Sequence, residues 1–233
     1  MKYQAFISYR HGDIDEVVAA TLHREIEKYS VPGRLKKRLN RKKIGRAFRD
    51  NEELRASSDL SAIIREALLE SEWLIVICTK RLPESKWCLE EIESFIEIRG
   101  RERILLVLAG GEPDVSFPKP LTEIRTDEGV VHVEPLAVDV RGITRKEIIK
   151  KLKSEKLRLF APILGVEYDD LRQRQREKRN KRLAAIFASI VLVLGGIIGV
   201  VTYKNIQLNA AYEALDESNR ETLKGESNYL CEY

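Results

Sequence analysis

The stretch SKWCLEEIESF, residues 85–95, sets an indole, a thiol and two adjacent carboxylates at the start of a predicted helix. Neighbouring helical positions are about 100° apart, so only one of Glu90 and Glu91 can lie beside the apolar stripe of Leu89, Ile92, Phe95 and Ile96. A carboxylate on that stripe is available for chemistry. One turned away from it is ordinary charge, favoured near a helix start by the backbone dipole. Cys88 is a nucleophile only if a neighbour lowers its pKa. His11 is another candidate acid–base group, although a loop histidine is ordinarily solvated. The three cysteines (78, 88 and 231) are too few and too scattered for a zinc site or a disulfide framework. There is no GxxxxGK loop, and no GxGxxG follows the first strand, so neither phosphate-loop chemistry nor a standard dinucleotide fold is indicated.

The elements that would position these groups are legible as alternating periodicities. AFISY (5–9), WLIVICT (73–79) and RILLVLA (103–109) are apolar runs of the kind buried on both faces of a parallel sheet. IGRAF (44–48) is a weaker second strand, and VHVEPLAV (131–138) is expected to be the last. Between them Ile14, Val18, Leu22 and Ile26 repeat at i+4, and Leu60, Ile63, Ile64, Ala67 and Leu68 mark another helical face capped by Ser57 or Ser58. Residues 30–43 are expected as a basic loop and 110–130 as irregular chain. Thr144 and Glu147 form a capping box for a helix running to about Phe160. Strands separated by helices imply right-handed βαβ units and a flavodoxin-like, doubly wound, five-stranded parallel sheet. Ligands of such sheets sit beyond the carboxyl ends of the strands. That directs attention to Ser8–Asp13, Arg49–Ser57 and Thr79–Glu91.

Residues 183–203 read LAAIFASIVLVLGGIIGVVTY, 21 residues without a charge and twelve of them Leu, Ile, Val or Phe. As a helix this run is about 31 Å long, the thickness of a hydrocarbon core, and is expected to cross the bilayer. Residues 172–182 before it hold seven Lys or Arg and one Glu; residues 204–233 after it hold three Lys or Arg and six acids. The positive-inside rule places the N-terminal part in the cytoplasm and the tail outside. Anionic lipid thus accounts for the basic run, and the net charge of +4 is not read as a nucleic-acid signature. MKYQAFISYR is not expected to be a signal peptide. The organisation expected is a domain over 1–160, a basic juxtamembrane linker over 161–182, the span, and a short extracytoplasmic tail. Gly195 and Gly199 form GxxxG, which suits close helix packing.

Three motifs resemble one family. Phe6-Ile7-Ser8-Tyr9-Arg10, with Asp13 shortly after, looks like the first signature box of Toll/interleukin-1 receptor (TIR) domains. Phe48-Arg49-Asp50 followed by Glu52, Glu53 and Leu54 resembles the second box in a form seen in bacterial members, though with Arg55-Ala56-Ser57 where Pro-Gly is usual. WLIVICTKRLPESKWCLEEI resembles the third strand, serine-bearing turn and helix. The likeness covers about residues 1–160. It implies a bacterial source, a role in defence signalling, self-association through the TIR domain or pairing with other TIR domains, and cleavage of NAD+ as substrate with no cofactor. The alternative the resemblance leaves open is a non-enzymatic TIR interaction module.

In enzymatic members the essential glutamate lies four residues after the Trp of the turn, which here is Glu91. Breaking a ribosyl–nicotinamide bond creates an oxocarbenium-like centre and expels a neutral amide, so an anion near the ribose suits the reaction. Glu91 is therefore expected to be catalytic and Glu90 inert. Trp87, at i−4, can supply an aromatic wall or pack internally. Arg10 can hold a diphosphate or pair with Asp13 or Asp50. Ser8, Tyr9, Arg49 and Asp50 complete the expected substrate-binding set.

Overall fold

The computed structural model describes residues 1–49, 60–126 and 129–230. Its centre is a parallel sheet of β1 (Tyr3–Ser8), β2 (Ala47–Phe48), β3 (Ser71–Cys78), β4 (Ile104–Leu108) and β7 (Ala137–Asp139), in the order β2-β1-β3-β4-β7. This is the doubly wound order expected, and its direction of winding reverses between β1 and β3.

Period-two alternation sends successive strand residues to opposite faces. Ala5, Ile7, Trp73, Ile75, Ile77 and Val107 pack on one side with Val18, Leu22 and Ile26 of helix α1 (Asp13–Lys28) and Leu152 and Phe160 of α7 (Arg145–Leu164). Phe6, Leu74, Val76, Cys78, Leu106 and Leu108 pack on the other. There they meet Ala67 and Leu68 of α3 (Leu60–Leu69), and Ile92 and Phe95 of α4 (Lys86–Arg99). All of these core residues lie between Tyr3 and Leu171, within the compact unit Met1–Gln175.

Several expectations are corrected in detail. The basic segment 30–43 is not a plain loop: it carries α2 (Gly33–Leu39), pinned by buried Val31 and Leu35. Residues 110–130 hold two short helices, α5 (Pro113–Ser116) and α6 (Lys119–Thr122), and strand β5 (Glu123–Thr126). VHVEPLAV is not one strand. Its first residues close β6 (Gly129–His132), which pairs antiparallel with β5 as a separate hairpin, and only Ala137 and Val138 enter the main sheet. Pro135 breaks the run, since proline cannot donate to a ladder. The capping box at Thr144 is present, and its helix runs past Phe160 to Leu164, where Gly165 closes it at φ 62°. The expected cap at Ser57 or Ser58 lies outside the described residues.

Helix α8 runs from Tyr168 to Leu230 and so includes most of residues 161–182, expected as a linker. Within it Ile186–Asn209, 24 residues, is long and apolar enough to cross a membrane. None of the described residues of this window is buried.

Candidate active site

Alternation along the strands decides what the carboxyl edge of the sheet presents. Ser8 follows Ile7 and so faces the side of Phe6, where α4 packs. Its buried hydroxyl donates to Glu91 Oε2 at 2.6 Å. Thr79 follows Cys78 and faces the opposite side, where α1 packs. Its hydroxyl donates to Asp15 Oδ2 at 3.1 Å. Ser8, the last residue of β1, and Thr79, the first residue after β3, thus each hold one carboxyl group at the switch point, on opposite faces of the sheet.

Glu91 stands in the second turn of α4. That helix begins at Ser85, whose side chain accepts from the Cys88 amide at 3.4 Å, and Ile92 and Phe95 anchor its inner face. Glu91 is half-buried while Glu90 is exposed, the division expected from helix geometry. A half-buried carboxylate that accepts from a serine hydroxyl is of a kind that can also hold a ribose hydroxyl or steady a developing cation.

Arg10 closes the rim. Its Nη1 donates to the Arg81 carbonyl at 2.9 Å and to Glu84 Oε2 at 2.5 Å. Of the two partners expected for Arg10, Asp13 pairs instead with Arg145 at 3.9 Å, and Glu84 is a partner of Arg10. The clasp ties the end of β1 to the turn that leads into α4. Gly12 permits it, since its φ of 127° is one that side chains rarely adopt and a Cβ there would stand 3.3 Å from Arg81 Nη1.

Tyr9 is buried, and its ring lies 4.9 Å from that of His11. Arg49 is buried at the end of β2, with Nη1 donating to Tyr9 Oη at 3.4 Å. Ser8, Tyr9, Arg10, Arg49 and Glu91 are thus linked to one another or to the turn beside α4; Asp50 lies outside the described residues. Trp87 is 67% exposed, so it is not an internal packing residue. Cys88 is buried, which removes it from solvent as a nucleophile. Burial, reinforced by the Asp15 charge, pushes the Cys78 thiol far up and keeps it inert.

Asp15 was not among the expected residues. It is 2% exposed, and among the described residues its Oδ1 has no hydrogen-bond partner. Burial pushes its carboxyl up to about 6, against the opposing pull of the Thr79 hydrogen bond and the charges of Arg81 and Arg10. A signal was available: Asp15, Val18, Ala19 and Leu22 share one buried helical face, and a carboxyl on such a face needs an explanation. Among the described residues no three His, Cys, Asp or Glu side chains converge as a metal site. A separate open groove of about 970 Å³ runs along Leu89, Glu93 and Ile96 of α4 to Lys119 and Pro120, away from the Ser8–Glu91 contact.

Comparison with known proteins agrees with the motifs. The TIR-domain family model matches residues 6–134, more than half of the chain. The NAD(+) hydrolase ApTIR of Actinoplanes sp. is 29% identical over an alignment covering 89% of this chain and 31% of that protein. The chain thus spans about a third of the length of this curated relative. A solved structure of the activated Roq1 resistosome recognizing the pathogen effector XopQ, in its TIR domains, is 24% identical. It gives a TM-score of 0.37, covering 48% of this chain and 60% of the other.

Proposed function

Since this chain belongs to the TIR-domain family, we propose that it is a membrane-anchored signalling enzyme that cleaves NAD+ at the ribosyl–nicotinamide bond, with Glu91 as the catalytic carboxylate. The observation that carries this reading is the 2.6 Å contact between Ser8 and a half-buried Glu91 at the switch point of the sheet. The name of the Actinoplanes relative supports the substrate.

In the proposed reaction the glycosidic C–N bond breaks and its electron pair passes to the pyridinium nitrogen, so nicotinamide leaves neutral. The ribosyl carbon, left oxocarbenium-like, is steadied by the Glu91 carboxylate, whose orientation Ser8 maintains. Water then adds and loses a proton to give ADP-ribose; addition of an adenine nitrogen, with loss of a proton, gives the cyclic product instead. Arg10 and Arg49 are the cations proposed to hold the diphosphate.

The Ile186–Asn209 helix supports anchoring, and the seven basic residues before it favour a cytoplasmic TIR domain. Confinement to a bilayer raises the local concentration of domains, so self-association is the proposed trigger. A second reading, a non-enzymatic module that recruits other TIR domains, draws support from the exposed Trp87 at the head of α4.

Nicotinamide release by the full chain at high density in proteoliposomes, beside Glu91→Gln, tests the proposal. The variant is expected to lose roughly 10²–10³-fold in rate while remaining folded. Equal rates in both proteins would remove Glu91 from the chemistry, and no turnover by the parent chain at any density would favour the recruiting module.

A further inference from the structure

Residues 33–46, GRLKKRLNRKKIGR, contain eight Lys or Arg and no Asp or Glu. They are held in a fixed frame. Val31, Leu35 and Ile44 are buried in the core, the Val31 amide donates to the Lys42 carbonyl at 3.0 Å, and Ser30 bridges Lys43. Asn40 ends α2 in the left-handed conformation at φ 49°, turning the chain back on itself. Lys37, Arg38, Lys42 and Lys43 are consequently exposed on an ordered scaffold.

Arg38 pairs with Asp170 at 3.2 Å, while Lys37, Lys42 and Lys43 stand exposed to solvent. Arg41 donates to the neutral amide oxygen of Gln4. The segment precedes β2, and the Gln4 amide donates to the Arg46 carbonyl at 2.7 Å, which places the turn at the amino edge of the sheet. The Ser8–Glu91 contact is at the carboxyl edge. These cations therefore do not line the proposed active site, and substrate binding does not account for them.

We propose that this cationic face docks onto the anionic headgroups of the bilayer, resting the amino edge of the sheet on the membrane and leaving the carboxyl edge open. The inference rests on the anchoring proposed above and adds a second contact to it. Asp170, the partner of Arg38, stands 16 residues before Ile186, where the apolar helix begins. Even fully extended, that tether reaches at most about 55 Å, so the face is never far from lipid. Each Lys or Arg at an anionic surface contributes about fivefold in partition. Residues 33–46 contain no aromatic side chain on which bases could stack, so lipid is favoured over nucleic acid as the anion.

The full chain, reconstituted in discs of phosphatidylcholine alone or enriched in phosphatidylglycerol, is treated with an amine-reactive reagent, and the labelling rate of each lysine is read by mass spectrometry. At low salt Lys37, Lys42 and Lys43 are expected to label about fivefold or more slowly in anionic discs. Lys80 and Lys86, exposed at the other edge, serve as references whose rates stay equal, and molar salt should abolish the difference. Equal rates at the three lysines in both discs overturn the proposal. So does protection of those lysines by added RNA in neutral discs with none from anionic lipid. Retention in neutral discs after a carbonate wash reads the anchor separately: a chain that washes off yet is protected by anionic vesicles refutes the anchor and leaves the docking face standing.

Discussion

Asp15 is the residue whose environment yields the sharpest number. Its carboxyl is ionised near 3.8 in an open chain and near 6 in the folded one, chiefly because burial disfavours the anion. Between those values the folded protein holds a proton that the unfolded chain has released, so stability falls as pH rises through this window. The full interval corresponds to about 3 kcal/mol, reduced to about 2 when solvent screening at the rim is allowed for. Asp15→Asn keeps an oxygen to accept from Thr79 and never carries the charge. Urea unfolding of residues 1–175 from pH 3.5 to 8 should show the variant gaining on the parent by about 2 kcal/mol between pH 4 and pH 6, then running parallel above that. Groups common to both proteins cancel in the difference. A difference that stays constant across the whole range would refute the claim that Asp15 carries a desolvated charge.

Two further substitutions probe other links. Ser8→Ala removes the hydroxyl that holds Glu91, and kcat/KM for nicotinamide release should fall roughly 10–100-fold with unchanged circular dichroism; an unaltered value would mean that Glu91 needs no orienting partner. Thr144→Ala deletes the capping box of α7, which should cost about 1 kcal/mol and lower the Tm by about 2–4 °C without affecting activity, as scanning calorimetry would report.

The strands that carry the site were readable because they are apolar on both faces: Ile7, Ile75, Val76 and Val107 are buried whichever way they point. Helical arc alone showed that only one of Glu90 and Glu91 could lie beside the apolar stripe, and the choice of Glu91 rested on its place four residues after Trp87 in the family motif. What escaped notice depends on chain brought from afar. Asp15 meets Thr79 across 64 residues, and no local pattern announces that a strand end will deliver a hydroxyl there. Glu84 likewise reaches Arg10 across 74 residues, whereas the nearer Asp13 turns to Arg145. The β5–β6 hairpin was missed for the opposite reason. All four residues of β6 are exposed, so burial imposes no alternation to read.

The two outermost strands of the main sheet are very short: β2 has two residues and β7 three. Long open edges invite other chains to add strands without limit, and crowding many copies on a bilayer would worsen that hazard. With so few unpaired amides and carbonyls at either border, neighbouring copies gain little by zipping together into one continuous sheet. Self-association of the kind proposed would thereby be steered toward contacts between helices and turns, which can come apart again.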